Sequence, residues 1–132
     1  MKTHGGIVRS DRARLWIPVL IFAAALLVRV PVLLQARSDV LFNHHFMDGA
    51  TYDAWGRSIA QGHVLGRGVF YQEPLYAYIL GAIYALSHQS FFVAAMVQVA
   101  VDSLNCVLLY FLGARLFSRG VGVVAAVMFA FF

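Results

Sequence analysis

At 132 residues, 61% of them hydrophobic and only 12% charged, with a mean hydropathy of +0.76, the chain is too apolar for a water-soluble domain. The composition predicts an all-α integral membrane protein. Its net charge of +4 does not point to nucleic acid, because Lys2, Arg9, Arg12 and Arg14 cluster ahead of the first apolar run, where basic residues set topology.

The first predicted element covers residues 15–34, about 20 residues and enough to cross ~30 Å of hydrocarbon. Pro18 falls in its first turn, where a missing N–H costs little. A basic start and an apolar core also suit a signal peptide, but the run is long for one and no A-x-A site follows. Residues 1–14 are therefore expected on the cytoplasmic side of a multi-pass protein of the inner (plasma) membrane. Arg29, near the outer end of this span, can snorkel to the interface.

The chain then turns polar until about Arg67. Asp48, Tyr52, Trp55 and Ile59 recur at helical spacing with Gly62 as a stop, which predicts a helix near 47–61. It would lie on the membrane surface with Met47, Trp55 and Ile59 partly buried. Ser87-His88-Gln89-Ser90 splits the next apolar region into 74–86, too short to span, and 91–116, long enough to cross with tilt. If 91–116 is the returning span, Arg115 and Arg119 lie on the cytoplasmic side, as the positive-inside bias prefers. Residues 35–90 then form an extracytoplasmic loop carrying two short helices. Residues 117–120 make a cytoplasmic turn and 121–132 begin a third span that stops after about 12 residues, short of the ~20 a crossing needs. The chain is accordingly expected to be part of a longer gene product.

Several residues in this frame could carry chemistry. Asp48 opens the first loop helix, where a carboxylate serves either as an N-cap or, partly desolvated, as a base for an acceptor hydroxyl or amine. Asp53 and Arg57 form an i, i+4 pair, best read as a solvated salt bridge. Arg67 lies between two glycines, a mobile turn or a grip on phosphate. If the helix extends back far enough, His44 and His45 could approach one cation with Asp48, but nothing completes a ligand set. No cofactor is required by these residues, and a divalent metal stays open.

Glu73, just before Pro74, could cap the second loop helix or face a cavity shared with Asp48. Tyr71, Tyr76, Tyr78 and Tyr84 suit a membrane interface, with stacking on a sugar ring as the functional alternative. Gln98, Asp102 and Asn105 share one face of the 91–116 helix, and a carboxylate at mid-span predicts that this face turns into a bundle. The lone Cys106 sits in an apolar run, so no disulfide framework or metal-type cysteine spacing exists and a small buried thiol is expected.

With these residues laid out, residues 26–129 resemble the N-terminal part of a family 39-type glycosyltransferase. These are GT-C-fold membrane enzymes related to protein O-mannosyltransferases and aminoarabinose transferases. The resemblance rests on L-L-V-R-V at the end of the first span, on D-x-x-x-Y-x-x-x-x-x-x-I-A-x-G from Asp48 to Gly62, and on Y-Q-E-P-L-Y-A-Y from Tyr71 to Tyr78. It extends to L-Y-F-L-G-A-R-L-F from Leu109 to Phe117.

This resemblance implies two jaw helices in the first extracytoplasmic loop, a polyprenyl-phosphate-linked sugar donor, and inverting transfer to a lipid or protein acceptor on the outer face. Asp48 matches the catalytic aspartate, the expected general base, with Tyr52, Arg67, Tyr71, Glu73 and Tyr76 as candidate substrate contacts. Many relatives carry a second acid after that aspartate, where this chain has Gly49. The aminoarabinose branch usually has a lysine where Glu73 stands, which argues against that sugar. Residues 1–132 alone are expected to be inactive. The alternative is a non-enzymatic membrane scaffold, or part of a transporter, anchored by Asp102 and Arg29.

Overall fold

The computed structural model describes residues 7–39, 42, 47–64 and 72–131, with side chains from residue 16 onward. Among these residues the chain is all-helical: α1 (Ile7–Arg37), α2 (Asp48–Ala60), α3 (Pro74–Leu86), α4 (Phe91–Leu116) and α5 (Arg119–Phe131). Two of the helices, over Trp16–Arg37 and Phe91–Leu116, are long and apolar enough to cross a membrane. Their large side chains are turned outward: Leu27 is 74% exposed and Leu108 56%.

The helix ends follow local chemistry. Ser90 Oγ accepts from the Val93 N–H at 3.5 Å and Ser118 Oγ from the Val121 N–H at 3.3 Å, so each serine caps the helix that follows it. At the end of α2 the Gly62 N–H reaches the Ile59 carbonyl and the His63 N–H the Ser58 carbonyl, a Schellman motif. Gly62 supplies its left-handed residue, with φ of +94°. The end of α3 has the same long bond, from the Gln89 N–H to the Tyr84 carbonyl, but its left-handed residues are His88 and Gln89.

The first helix departs from expectation. It begins at Ile7, so Pro18 and Pro31 both lie inside it, and Pro18 is not in its first turn. An apolar run marks where a helix is dehydrated, whereas a helix already formed can propagate past it, as it does here back to Ile7.

The chain divides into two compact units, residues 33–97 and residues 1–32 with 98–132. In the first, α2 packs on α3 around Leu80, Tyr84 and Ala94, with Tyr52, Ala60 and Ile83 against them. The contact depends on two glycines. A Cβ on Gly81 would lie 2.6 Å from the Ile59 side chain and 3.3 Å from the Gly56 carbonyl, and one on Gly56 would lie 2.9 Å from Leu80. Each glycine weakens its helix by about 1 kcal/mol relative to alanine, a cost offset by closer packing. The buried face of α2 is therefore set by Gly56, while Met47, expected to be partly buried, is 89% exposed.

In the second unit, Ala25, Cys106, Tyr110 and Ala126 form the core. The cysteine is a buried free thiol, as its apolar setting predicts. Helices α4 and α5 meet at Gly113 and Gly122, where a Cβ on Gly113 would lie 2.7 Å from the Gly122 Cα. Arg29 does not snorkel away from this unit. Its guanidinium donates to the Phe129 carbonyl at 2.8 Å, lies 3.6 Å from Cys106 Sγ and packs 5.7 Å from the Phe129 ring centroid. Ser103, fully buried, donates to the carbonyl of Val99 at 2.8 Å, four residues back along its own helix.

The 98, 102 and 105 face is not the side of α4 that this unit buries. Gln98 and Asp102 are exposed and Asn105 is only half-buried. Small residues decide which side of α4 turns inward, and Ser103, Cys106 and Tyr110 fill that side.

The glycine contact has a measurable consequence. Gly81→Ala is expected to destabilise the α2–α3 pair by about 1–3 kcal/mol through overpacking, more than the ~1 kcal/mol of helix propensity it adds. Ile59→Ala in the same chain should restore about 1 kcal/mol of that loss. Unfolding of the four combinations in detergent micelles measures the coupling, and strict additivity would contradict the contact.

Candidate functional site

Asp48 is the first residue of α2, and Met47, at φ of +52°, occupies the N-cap position. The side chain does not cap its own helix. Its Oδ1 instead accepts a hydrogen bond from Gln72 Nε2 at 2.8 Å. The N-cap reading of Asp48 is therefore replaced by a cross-strut between the start of α2 and the residues before α3. The carboxylate still gains from the unpaired N–H groups of the first turn.

Tyr52 lies one turn further along the same face. Its hydroxyl donates to Glu73 Oε2 at 3.2 Å, and its ring stands edge-on to Tyr76 with centroids 4.9 Å apart and planes at 86°. Glu73 occupies the N-cap position of α3 in extended geometry, with Pro74 at the start of the helix, but its carboxylate makes no capping bond. It faces Tyr52 instead. Partial burial raises the Tyr52 phenol above the usual range, and the hydrogen bond and charge of Glu73 and then the charge of Asp48 push in the same direction.

Four of the six candidate residues, Asp48, Tyr52, Glu73 and Tyr76, thus come together where the two short helices begin. Arg67 and Tyr71 lie outside the described residues, as do His44 and His45. Among the described residues no group of three or more histidine, cysteine or acidic side chains could hold a metal ion.

Gln72 is the member that sequence reasoning passed over. Its amide nitrogen holds Asp48, and its Oε1 is buried without a hydrogen-bond partner among the described residues. The sequence signal was its place beside Glu73, but a glutamine before a proline-led helix has no distinctive pattern. Asp48 Oδ2 carries no bond among the described residues, and the carboxyl is exposed. One oxygen is fixed and the other is open, which is the geometry a general base needs.

A second polar cluster lies further along α2. Arg57 Nε donates to Asp53 Oδ2 at 2.8 Å, and the buried Tyr84 hydroxyl donates to Asp53 Oδ1. The guanidinium also reaches the Gln89 carbonyl at 3.4 Å and its side-chain oxygen at 3.3 Å, and lies 5.1 Å from the Tyr84 ring centroid. The Asp53–Arg57 pair is therefore not a solvated surface bridge, since the Asp53 side chain is only 18% exposed. Tyr84, fully buried, does not belong to an interfacial belt. Tyr78 is anchored as well, its hydroxyl donating to the Val64 carbonyl at 2.9 Å.

No protein-family model, curated protein or solved structure matches the chain.

Burial of Tyr84 beside Asp53 is expected to weaken the fold at alkaline pH. Burial pushes the Tyr84 phenol up, and the hydrogen bond to Asp53 and its charge add to the shift. The folded state then keeps a proton that the unfolded state loses near pH ~10. Stability is full below that point and falls as pH rises above it. Tyr84→Phe should cost about 1–3 kcal/mol at pH 7 and flatten the alkaline decline, read as unfolding midpoints at neutral and alkaline pH. An unchanged decline would contradict this role.

Proposed function

We propose that this chain provides the first extracytoplasmic portion of a GT-C-type membrane glycosyltransferase. In this reading a sugar passes from a polyprenyl-phosphate donor to a lipid or protein acceptor on the extracytoplasmic face, with inversion. The observation that carries it is Asp48, a carboxylate tied through one oxygen to Gln72, open at the other, and beside the Tyr52–Tyr76 aromatic pair. Helices α1 and α4, long and apolar enough to cross a membrane, support the membrane setting.

A hydroxyl is a weak nucleophile until a base takes its proton. Asp48 Oδ2 would accept that proton as the acceptor oxygen bonds to the anomeric carbon from the side opposite the phosphate. The carbon–oxygen bond to phosphate breaks, and the leaving group keeps the electron pair. Aromatic rings at the start of the helices offer a face for the sugar, and Arg67 is the candidate partner for the departing phosphate charge. The second reading, a membrane scaffold or part of a transporter, draws on the exposed Asp102 of α4.

Transfer from a radiolabelled polyprenyl-phosphate sugar, measured in membranes producing the gene product that carries residues 1–132, separates the two. Asp48→Asn should lower the rate roughly 10²–10⁴-fold at unchanged protein level. Residues 1–132 alone should show no turnover. Transfer unaffected by Asp48→Asn rejects the base assignment.

A further inference from the structure

Helix α4 places a carboxylate where a membrane reading leaves it without cover. Asp102 lies eleven residues after Phe91 and fourteen before Leu116, near the middle of a helix long enough to cross. It is exposed, and no hydrogen bond or ion pair reaches it among the described residues. Exposed Gln98 sits one turn before it and half-buried Asn105 one turn after, which gives a short polar ladder. Val101, Leu108 and Leu112, each more than half exposed, border that ladder on one side. The buried side of the same helix is already occupied by Ser103, Cys106 and Tyr110.

We propose that this ladder is a docking face for a membrane helix that carries an arginine at the same depth. The proposal rests on the membrane reading given above. A bare carboxylate facing hydrocarbon is costly, so intramembrane acids are found against a partner or a water-filled cavity. Among the described residues of its own unit, Asp102 stays exposed and without a partner. A membrane helix closing over this face would supply that partner.

Charge decides what kind of helix it is. Arg29, the basic residue within the apolar run of α1, is engaged by the Phe129 carbonyl and ring. A second copy of the chain would bring Asp102 against Asp102 whether the two helices ran parallel or antiparallel about that residue, a like-charge contact. An arginine fits better than a lysine, because its planar fork can reach the two carboxylate oxygens and neighbouring amide oxygens together.

The test uses the whole chain, labelled at its amino terminus with a donor fluorophore and reconstituted in phosphatidylcholine vesicles. The probes are acceptor-labelled leucine/alanine membrane peptides with a single central Arg, Lys or Leu. Energy transfer should report the Arg peptide bound roughly three- to tenfold more tightly than the Leu peptide, with Lys between them. Asp102→Leu should abolish the preference, and Asp102→Asn should retain part of it. Equal binding of the Arg and Leu peptides, or a preference that survives Asp102→Leu, overturns the proposal. So does strong transfer between differently labelled copies of the chain without a preference for Arg, which would mark the face as a self-interface. A chain that fails to float with the vesicles fails on the membrane reading itself, and this flotation result is read before any peptide is added.

Discussion

The close approach of Gly56 to α3 is the constraint on which the rest of residues 33–97 depends. With a side chain at either glycine, the two short helices would separate by a side-chain thickness. Separation at mid-helix would also part their beginnings, where Asp48 meets Gln72 and Tyr52 meets Glu73. Of the candidate residues, Tyr52 takes part in the packing that creates the site. Its polar bonds are exposed and individually worth about 0.5–1.5 kcal/mol. They orient side chains; the packing beneath them brings the backbones together.

The second polar cluster does different work from the first. Asp53 has both oxygens occupied, by Arg57 and by Tyr84, and Arg57 spreads its donors over Asp53 and Gln89. Mutual satisfaction of this kind lets charged groups sit half-buried without the penalty of a stranded ion. At Asp48 the same residue type has one oxygen left open. Two aspartates five residues apart on one helix are therefore distinguished by how completely their neighbours engage them.

Much of the helical framework was legible because its signals are local. The apolar runs 74–86 and 91–116 coincide with α3 and α4, and the periodicity around Asp48 to Ile59 coincides with α2. Serines 90 and 118 and Gly62 mark ends through short-range hydrogen bonds. What escaped was tertiary. Spacing showed that Asp48 opens a helix, but not that its side chain would leave the helix end for Gln72. The i, i+4 rule found Asp53 and Arg57, yet the partner that shields Asp53, Tyr84, is thirty-one residues away.

Which side of α4 is buried within its own unit escaped for a related reason. Polarity alone suggested that Gln98, Asp102 and Asn105 turn inward, whereas close packing selected Ser103 and Cys106, small enough to admit neighbouring helices. Ser103 conceals its hydroxyl against its own helix backbone, so it is polar in composition and apolar in behaviour.

The turn after α3 gives α2 a mechanical character. His88 and Gln89 both adopt left-handed backbone without being glycine, at roughly 1–2 kcal/mol each, and Gln89 is the residue that Arg57 grips. The latter half of α2 is in this way moored to a stiff corner, while its first turn is held only by exposed side-chain bonds. Any angular displacement of α2 about its moored end would be largest at Asp48, at the far end of the helix.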